Sequence, residues 1–501
     1  MNILKKVTKW GIGIGCCAVA ATVYAQPGQG LFEAVTSTVP QTRDVVDEDS
    51  VIARSRYVSI VADQLGDAAD GPQEDGKKLR LNFFSDADYS VAISREERRS
   101  DADYTLFGNI EGVGLGHCTL VVQDGHVTGN CSSPEGMYQI RHTADGVHVL
   151  REIDQSKFAP EMEPIEVSNT GDPEIESAPD PDPLKDDGMV HEDGAVTDDD
   201  GSIVEMLVVY TSAARAAAGG TTNMLADIRL AIDETNQAYI NSGITHRVQL
   251  AAAREISYPE SGVLCNASNS DLTRLIGTSD GYMDEVHGWR NSYRADQVTL
   301  ITDTGDACGC AAFMSTVSTS FAPNAFSVVK DSCSTGYYSF GHELGHNMSA
   351  HHDCYVHTGT SPYSYIHGYV NTTDRWRTVM AYNTQCADSG FDCTRIQYFS
   401  NPTKTNGGDP MGTTTGACQA DNARTHRNTD LTVSRFRDGV CSMTGSVERV
   451  LQYDDSYSTN NYVYVRPSGT ASYYQYFRTA DDNMATSAIN AMRKKVDVTV
   501  R

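Results

Sequence analysis

From residue 203 to residue 302 the chain alternates apolar β-type runs with helical periods. "SIVEMLVVYT" is a strand of the buried type, and Thr222 then opens a helix that sets Leu225, Ile228, Ile232 and Tyr239 on one face until Gly243 stops it. "HRVQLAAAREISY" is the next strand, "GYMDEVHGWRNSY" a second amphipathic helix and "DQVTLIT" a third strand. Strand, helix, strand, helix, strand predicts an α/β sheet domain. Upstream, between Gln26 and about Pro160, the runs "KKLRLNFF", "CTLVVQ", "MYQIRHT" and "GVHVLREI" predict a small β-rich domain. Downstream of residue 302, "QADNARTHRNTDLTVSRFRD" reads as a closing helix. Residues 445–501 add tyrosine-rich strands, a helix near Asp481 to Lys494 and a terminal "VDVTVR", a small α/β module without visible chemistry.

Charge sharpens these boundaries. The formal net charge of -27 is concentrated in residues 26–202, where 13 basic groups face 37 acidic ones, whereas residues 203–441 carry 16 against 23. That acidity argues against nucleic acid as a partner. Its densest part is the aromatic-poor Pro/Asp/Glu stretch 159–202, which cannot bury enough apolar surface to repay its ordering entropy. It reads as an exposed linker, where a protease would cut. The first 25 residues carry Lys5, Lys6 and Lys9, an uncharged stretch from Gly11 to Val23, and small residues up to Ala25. This is the layout of a secretory signal, and the apolar run is short and glycine-rich for a membrane span. No later stretch is long and apolar enough to span one, so no membrane role is expected. The division is therefore a signal peptide at 1–25, a β-rich leader at 26–158, a linker at 159–202, a core domain at 203–441 and a C-terminal module at 442–501.

Export makes the cysteines candidates for disulfides. In "CTLVVQDGHVTGNC" the Asp124-Gly125 turn puts Cys118 opposite Cys131 in a close non-hydrogen-bonded pair, a register that suits a bridge. Nine cysteines remain between Cys265 and Cys441, so one of them is free or paired elsewhere.

The stretch "YYSFGHELGHNMSAHHDCYV" carries the chemistry. His342 and His346, four residues apart, lie roughly 40° apart around a helix, so both imidazoles can face one ion. Glu343 lies between them, placed to reach a water rather than to ligate. A third ligand has to come from chain that has left the helix, and His352 is six residues past His346. That geometry demands a sharp turn near residue 349, where Ser349 in a left-handed conformation costs roughly 1–2 kcal/mol. "TVMAY" then supplies Met380 twenty-eight residues beyond His352. His351, His357 and His367 read as surface residues or supports behind the ligands.

The pattern H-E-x-x-H-x-x-G-x-x-H with a later methionine turn is that of the metzincins, from which this chain departs only in having Ser349 for glycine. The chain resembles the reprolysin-like bacterial enzymes among them, and most closely the peptidyl-Asp metalloendopeptidase family. The stretches that carry this are "VVYTSAARAAAGG", "ETNQAYINSGI", "DGYMDEVHGWRNSYRADQVTLI", "ACGCAAFM", "GHELGHNMSAHHD", "TVMAY" and "RIQYFSNP", within roughly residues 203–440. The resemblance implies a metzincin-like α/β (α+β) catalytic domain with a twisted mixed sheet and an active-site helix, a zinc ion, and an upstream propeptide.

On this reading the protein is a secreted zinc endopeptidase made as a zymogen. Zn2+ sits on His342, His346 and His352 with one position open for water, whose proton Glu343 takes as general base. Protein or peptide substrates lie antiparallel to an edge strand near "CGCAAFM". Tyr382, two residues after Met380, assists the chemistry by stabilising the oxyanion; its alternative role is packing in the turn. The propeptide acts as an intramolecular inhibitor through a carboxylate or steric block, because Cys118 and Cys131 bonded to each other exclude a cysteine switch; a passive folding aid is the alternative. The family resemblance implies cleavage on the amino side of Asp, which needs a cation in the receiving pocket; among Arg375, Arg377 and Arg395, Arg395 is the first choice. The protein is expected to be a monomer. The rival reading is a non-catalytic metzincin-like binding or adhesion module whose structural zinc is closed by a fourth ligand, with Cys354 the nearest candidate.

Overall fold

A computed structural model of the chain describes residues 29–35, 51–65, 77–133, 136–144, 146–167, 203–437, 443–452, 461–467, 475–479 and 497–500. The expected signal peptide, residues 168–202 of the linker, Cys441 and the helix expected near Asp481 to Lys494 lie outside the described residues.

The core domain is built on five strands: Ile203–Thr211 (β1), Arg247–Ile256 (β2), Gln297–Thr302 (β3), Gly309–Phe313 (β4) and Phe326–Lys330 (β5). Their order across the sheet is β4-β5-β3-β1-β2, parallel throughout except that β4 runs antiparallel to β5. The sheet is therefore mixed, with β4 at its edge. The helix Thr221–Ser242 (α1) follows β1 and ends at Gly243, whose φ of 71° lets its N–H close on the carbonyls of Tyr239 and Ile240. Met224, Ile228, Ile232 and Tyr239 bury that helix against Met206, Val208 and Leu250 of the sheet and against Phe340 and Leu344 of a second helix, Ser339–Asn347 (α2). Each fully buried side chain of this kind contributes about 1.5–3 kcal/mol, which fixes α2 beneath the sheet edge. The other sheet face carries Leu207, Val209, Leu300 and Val328 and is covered by Leu272, Leu275 and Val286. The strand β5, "FSVVK", and the short helix Asp271–Ile276 escape the sequence reading; both are shorter than the periods that reveal an element.

The leader is a nine-stranded antiparallel sheet in which the seven strands from Lys78–Phe84 to Val147–Ile153 form a meander, and the hairpin-like pair Phe32–Ala34 and Ile52–Ile60 adds to its end by pairing Ile52–Ile60 with Val147–Ile153. It curls on itself: the Leu31 N–H donates to the Arg80 carbonyl at 2.8 Å, and Asn82 bonds both backbone groups of Phe32. Asp124 and Gly125 both take positive φ, as a two-residue hairpin requires, and Cys118 pairs with Cys131 in register and in a disulfide. The leader lies on α1, with Thr105 donating to Asp233 at 2.6 Å and Asn130 to Glu234 at 2.7 Å. Bridges Cys265–Cys310, Cys308–Cys333, Cys354–Cys418 and Cys386–Cys393 tie the core domain. The C-terminal module is a four-stranded antiparallel sheet of Met443–Gln452, Asn461–Pro467, Gln475–Thr479 and Asp497–Val500. No helix among the described residues is long and apolar enough to cross a membrane.

One expectation needs correction. The acidic stretch beginning at residue 159 is not exposed throughout, because its first residues run through the core domain's cleft. The Cys308 N–H donates to the Pro160 carbonyl and the Met162 N–H to the Gly309 carbonyl, each at 3.0 Å. Ile165–Glu166 then pairs with β4, Ile165 opposite Ala312 and Glu166 opposite Phe313, in parallel. An open sheet edge offers unpaired backbone groups whatever the composition of the strand that takes them, so acidic side chains do not prevent docking.

Candidate active site

The helix α2 brings His342 and His346 to one side. The chain then reverses at Ser349, whose φ is 66° and whose hydroxyl donates to the Met314 carbonyl at 2.6 Å, and returns His352 to the same point. The three Nε2 atoms form a triangle with sides of 3.1–3.2 Å. Two nitrogen ligands at about 2.0–2.1 Å from one tetrahedral ion lie about 3.3 Å apart, so the triangle has the size such an ion needs. The tautomers agree. His342 Nδ1 meets the Val379 carbonyl at 2.8 Å, His346 Nδ1 the Ala350 carbonyl at 2.9 Å, and His352 Nδ1 a Glu163 carboxylate oxygen at 3.2 Å. Each Nδ1–H is thereby given an acceptor, and each Nε2 lone pair is turned to the centre. Burial, followed by the Arg395 charge for His342 and by the other two triad histidines for His346, holds both imidazoles well below their usual pKa and keeps them neutral.

The Glu343 carboxylate is fully buried, and among the described residues its nearest charged neighbour is the Glu161 carboxylate rather than a cation that would pair it. Burial, and after it the nearby Glu161 carboxylate, push it well above the usual carboxylate range. Two glycines make room around the site. A Cβ on Gly309 would stand 2.5 Å from a Glu343 oxygen, and one on Gly345 would stand 2.7 Å from the Met380 sulfur. Met380 is fully buried in the same core as Leu344 and Ala350, beneath the triad.

Tyr382 lies beside the triad, its ring centroid 3.9 Å from that of His352, and its hydroxyl donates to the Glu161 carbonyl at 2.9 Å. Burial raises its phenol. The supporting histidines are more interior than a surface reading allows: His351 and His367 are buried, the His367 ring meets the His352 carbonyl at 3.0 Å, and His351 stacks on His357. Cys354 is bonded to Cys418, which removes its sulfur as a fourth ligand.

The three arginines have separate fates. Arg375 is exposed over the Phe391 ring. Arg377 is buried and spends its donors on the carbonyls of Cys393 and Ala381 and the Tyr337 hydroxyl. Arg395 is also buried, and one of its nitrogens meets a Glu161 carboxylate oxygen at 2.6 Å. The Ser339 hydroxyl donates to that same oxygen at 2.7 Å. Glu161 and Glu163 carried no signal of their own in the sequence; they stand among 17 acidic residues between 151 and 200.

Residues 200–400 match the Reprolysin_5 model, metallo-peptidase family M12. A protein of Stenotrophomonas maltophilia (strain K279a) named peptidyl-Asp metalloendopeptidase is 39% identical over 328 residues, covering 64% of this chain and 71% of that one. One of Xanthomonas campestris pv. campestris with the same name is 38% identical over 442 residues, covering 84% of this chain and 96% of that one. The crystal structure of metalloproteinase-II from Bacteroides fragilis overlays at a TM-score of 0.35 and 13% identity, covering 58% of this chain and 86% of that one, a likeness too slight to argue from. An identity of 38% sustained over 96% of a relative's length is a family relationship, and the chain belongs to the peptidyl-Asp metalloendopeptidases, reprolysin-like metalloendopeptidases of family M12.

Proposed function

We propose that this metalloendopeptidase is a zinc enzyme, exported and made as a zymogen, that cleaves peptide bonds on the amino side of aspartate. The observation that carries the reading is the buried triangle of His342, His346 and His352 Nε2 atoms beside the buried Glu343 carboxylate. Only nitrogen donors face the centre, and three protein ligands leave a tetrahedral ion one open position, the arrangement of a catalytic zinc site. Zinc held there supplies Lewis acidity, polarising the substrate carbonyl and acidifying water.

The chain's own residues do the rest. An extended substrate is held by main-chain bonds along β4. Glu343 takes the proton of the attacking water and gives it to the leaving amine. The Tyr382 hydroxyl donates to the oxygen on which charge develops. The segment 159–167, which continues the leader into the linker and is counted with the leader from here on, supports the zymogen reading, since it occupies β4 and the space beside the triad. The signal-like first 25 residues and the five disulfides support export. The rival binding module with a closed zinc is disfavoured by the Cys354–Cys418 bridge, which consumes its nearest fourth ligand.

Casein hydrolysis by the processed protein, with and without a chelator and in Glu343→Gln, tests the reading. Activity is expected to vanish with chelator, return with zinc, and fall by roughly 10²–10⁴ in Glu343→Gln with zinc content unchanged. Undiminished hydrolysis in Glu343→Gln would assign the base elsewhere.

A further inference from the structure

We infer that Arg395 is the residue that selects acidic substrates, and that the leader keeps the enzyme latent by seating Glu161 on Arg395 in the place of the substrate's acidic side chain. The inference rests on the peptidase reading above and adds its specificity residue and its latch.

Two other fully buried arginines of the core domain set the comparison. Arg377 has three acceptors, all in its own domain. Arg290 likewise bonds the carbonyls of Ala295, Ala322 and Asp296. Both charges are solvated by groups that never leave. Arg395 is equally buried, at 1% exposure, but its carboxylate partner belongs to the leader. Within its own domain it has the Tyr337 carbonyl at 2.9 Å and the Tyr337 ring beneath it. Among the described residues its Nε has no partner, and its Nη2 lies 3.4 Å from His342 Nδ1, whose proton is already committed to the Val379 carbonyl. Two nitrogens of the fork therefore lack an acceptor. When the leader leaves, the guanidinium loses its counter-charge, and an incoming carboxylate restores the pairing in a form that an amide or apolar side chain cannot. Arg395, Tyr337 and Tyr382 line a cavity of about 470 Å³ next to the triad, with Glu161 on its wall.

The direction of the leader explains why it blocks rather than reacts. It runs parallel to β4, the reverse of the antiparallel run proposed for substrates. For cleavage before an acidic residue, the attacked carbonyl belongs to the residue that precedes the one in the pocket. Here the carbonyl bonded to Tyr382 is that of Glu161 itself, and the following nitrogen, Met162 N, donates its hydrogen to the Gly309 carbonyl. Side chain and scissile bond are out of register by one residue. Glu163 reaches His352 through Nδ1, on the ring edge away from the triangle's centre, so the leader touches the ligand shell from behind.

The test uses the full chain, with gels confirming that it is still uncut, and two quenched peptides identical except for Asp or Asn after the scissile bond. Glu161→Gln, close in shape but uncharged, is expected to hydrolyse the Asp peptide at least roughly tenfold faster than the uncut wild type, while Glu166→Gln, at an exposed side chain of the same segment, stays within about twofold. In the Glu161→Gln background the Asp-over-Asn ratio in kcat/KM is expected to be roughly ten- to hundredfold, and adding Arg395→Gln should bring it to about one with metal content retained. Should that double variant not fold, Arg395→Lys keeps the charge but loses the fork, and the ratio should drop severalfold while still favouring Asp. Latency that persists in Glu161→Gln would overturn the latch, and a ratio untouched by both Arg395 substitutions would overturn the specificity residue. A chain that cleaved neither peptide even after processing would overturn the peptidase reading itself, and the latch with it.

Discussion

Replacing Ser349 sets two opposed effects against each other at the turn that delivers His352. Its φ of 66° lies where an L side chain costs about 1–2 kcal/mol. Its hydroxyl, fully buried, donates to the Met314 carbonyl at 2.6 Å. Ser349→Ala keeps the strain and deletes the bond, leaving a buried carbonyl without its donor at a cost of about 1–3 kcal/mol. Ser349→Gly deletes the same bond and also the strain, but glycine's greater freedom in the unfolded chain returns about 0.5–1 kcal/mol of that gain. The expected order is wild type, then Gly, then Ala, with Gly above Ala by about 0.5–1 kcal/mol. Urea unfolding of the metal-free chain reads these differences directly. Because residue 349 reverses the chain between two of the proposed ligands, the same order should appear in the chelator concentration needed to strip the metal. An Ala variant as stable as the Gly variant would refute the strain argument, and a Gly variant more stable than wild type would show that the hydroxyl contributes less than the strain that glycine relieves.

Three further outcomes are expected. Gly345→Ala places a Cβ 2.7 Å from the buried Met380 sulfur and should cost about 1–3 kcal/mol by overpacking, seen as a lower Tm together with looser metal retention; an unchanged Tm would mean that Met380 moves aside freely. Tyr382→Phe should lower kcat by roughly 10²–10³ with little change in KM if the hydroxyl stabilises the oxyanion, and a normal kcat would leave it a packing residue. Glu234, buried under the leader with Asn130, Arg141 and Asp233 about it, is pushed up from 4.5 to about 7, chiefly by burial. A raised acid contributes stability that is full below about pH 4.5 and is lost as pH rises through about 7, on the order of 3 kcal/mol, and Asp331, raised to about 8, acts in the same sense. The uncut chain should therefore melt higher at pH 5 than at pH 8; equal midpoints would refute it.

Local spacing made the centre of this site readable, and distance hid its surroundings. His342, His346 and His352 are linked by a helical repeat and one turn, so their meeting follows from a stretch of 11 residues. The bridge between Cys118 and Cys131 was equally local, counted outward from a two-residue turn. The Glu161–Arg395 pair spans 234 residues, and nothing near either one names the other. Composition pointed the wrong way there: an acidic, proline-bearing stretch reads as solvated, yet its first residues find unpaired backbone on an edge strand. Arginines near a methionine turn look alike in sequence. Only the fold shows that Arg377 is satisfied by carbonyls whereas Arg395 depends on a carboxylate from the leader.

The blocking segment, residues 159–167, is the first part of the stretch 159–202 in which a maturation cut was expected, and a cut in the remaining 168–202 leaves the block attached to the leader as its tail. Cutting then removes only the tether. A tether holds its ends together at an effective concentration in the millimolar range, and once it is gone occupancy follows the actual concentration of leader fragments. Freshly cut enzyme would remain silent where it is crowded and wake as it disperses, so that dilution, rather than the cut, times the onset of proteolysis. Turnover per mole of cut protein should accordingly rise on dilution, and a value independent of concentration would show that the leader departs with the cut.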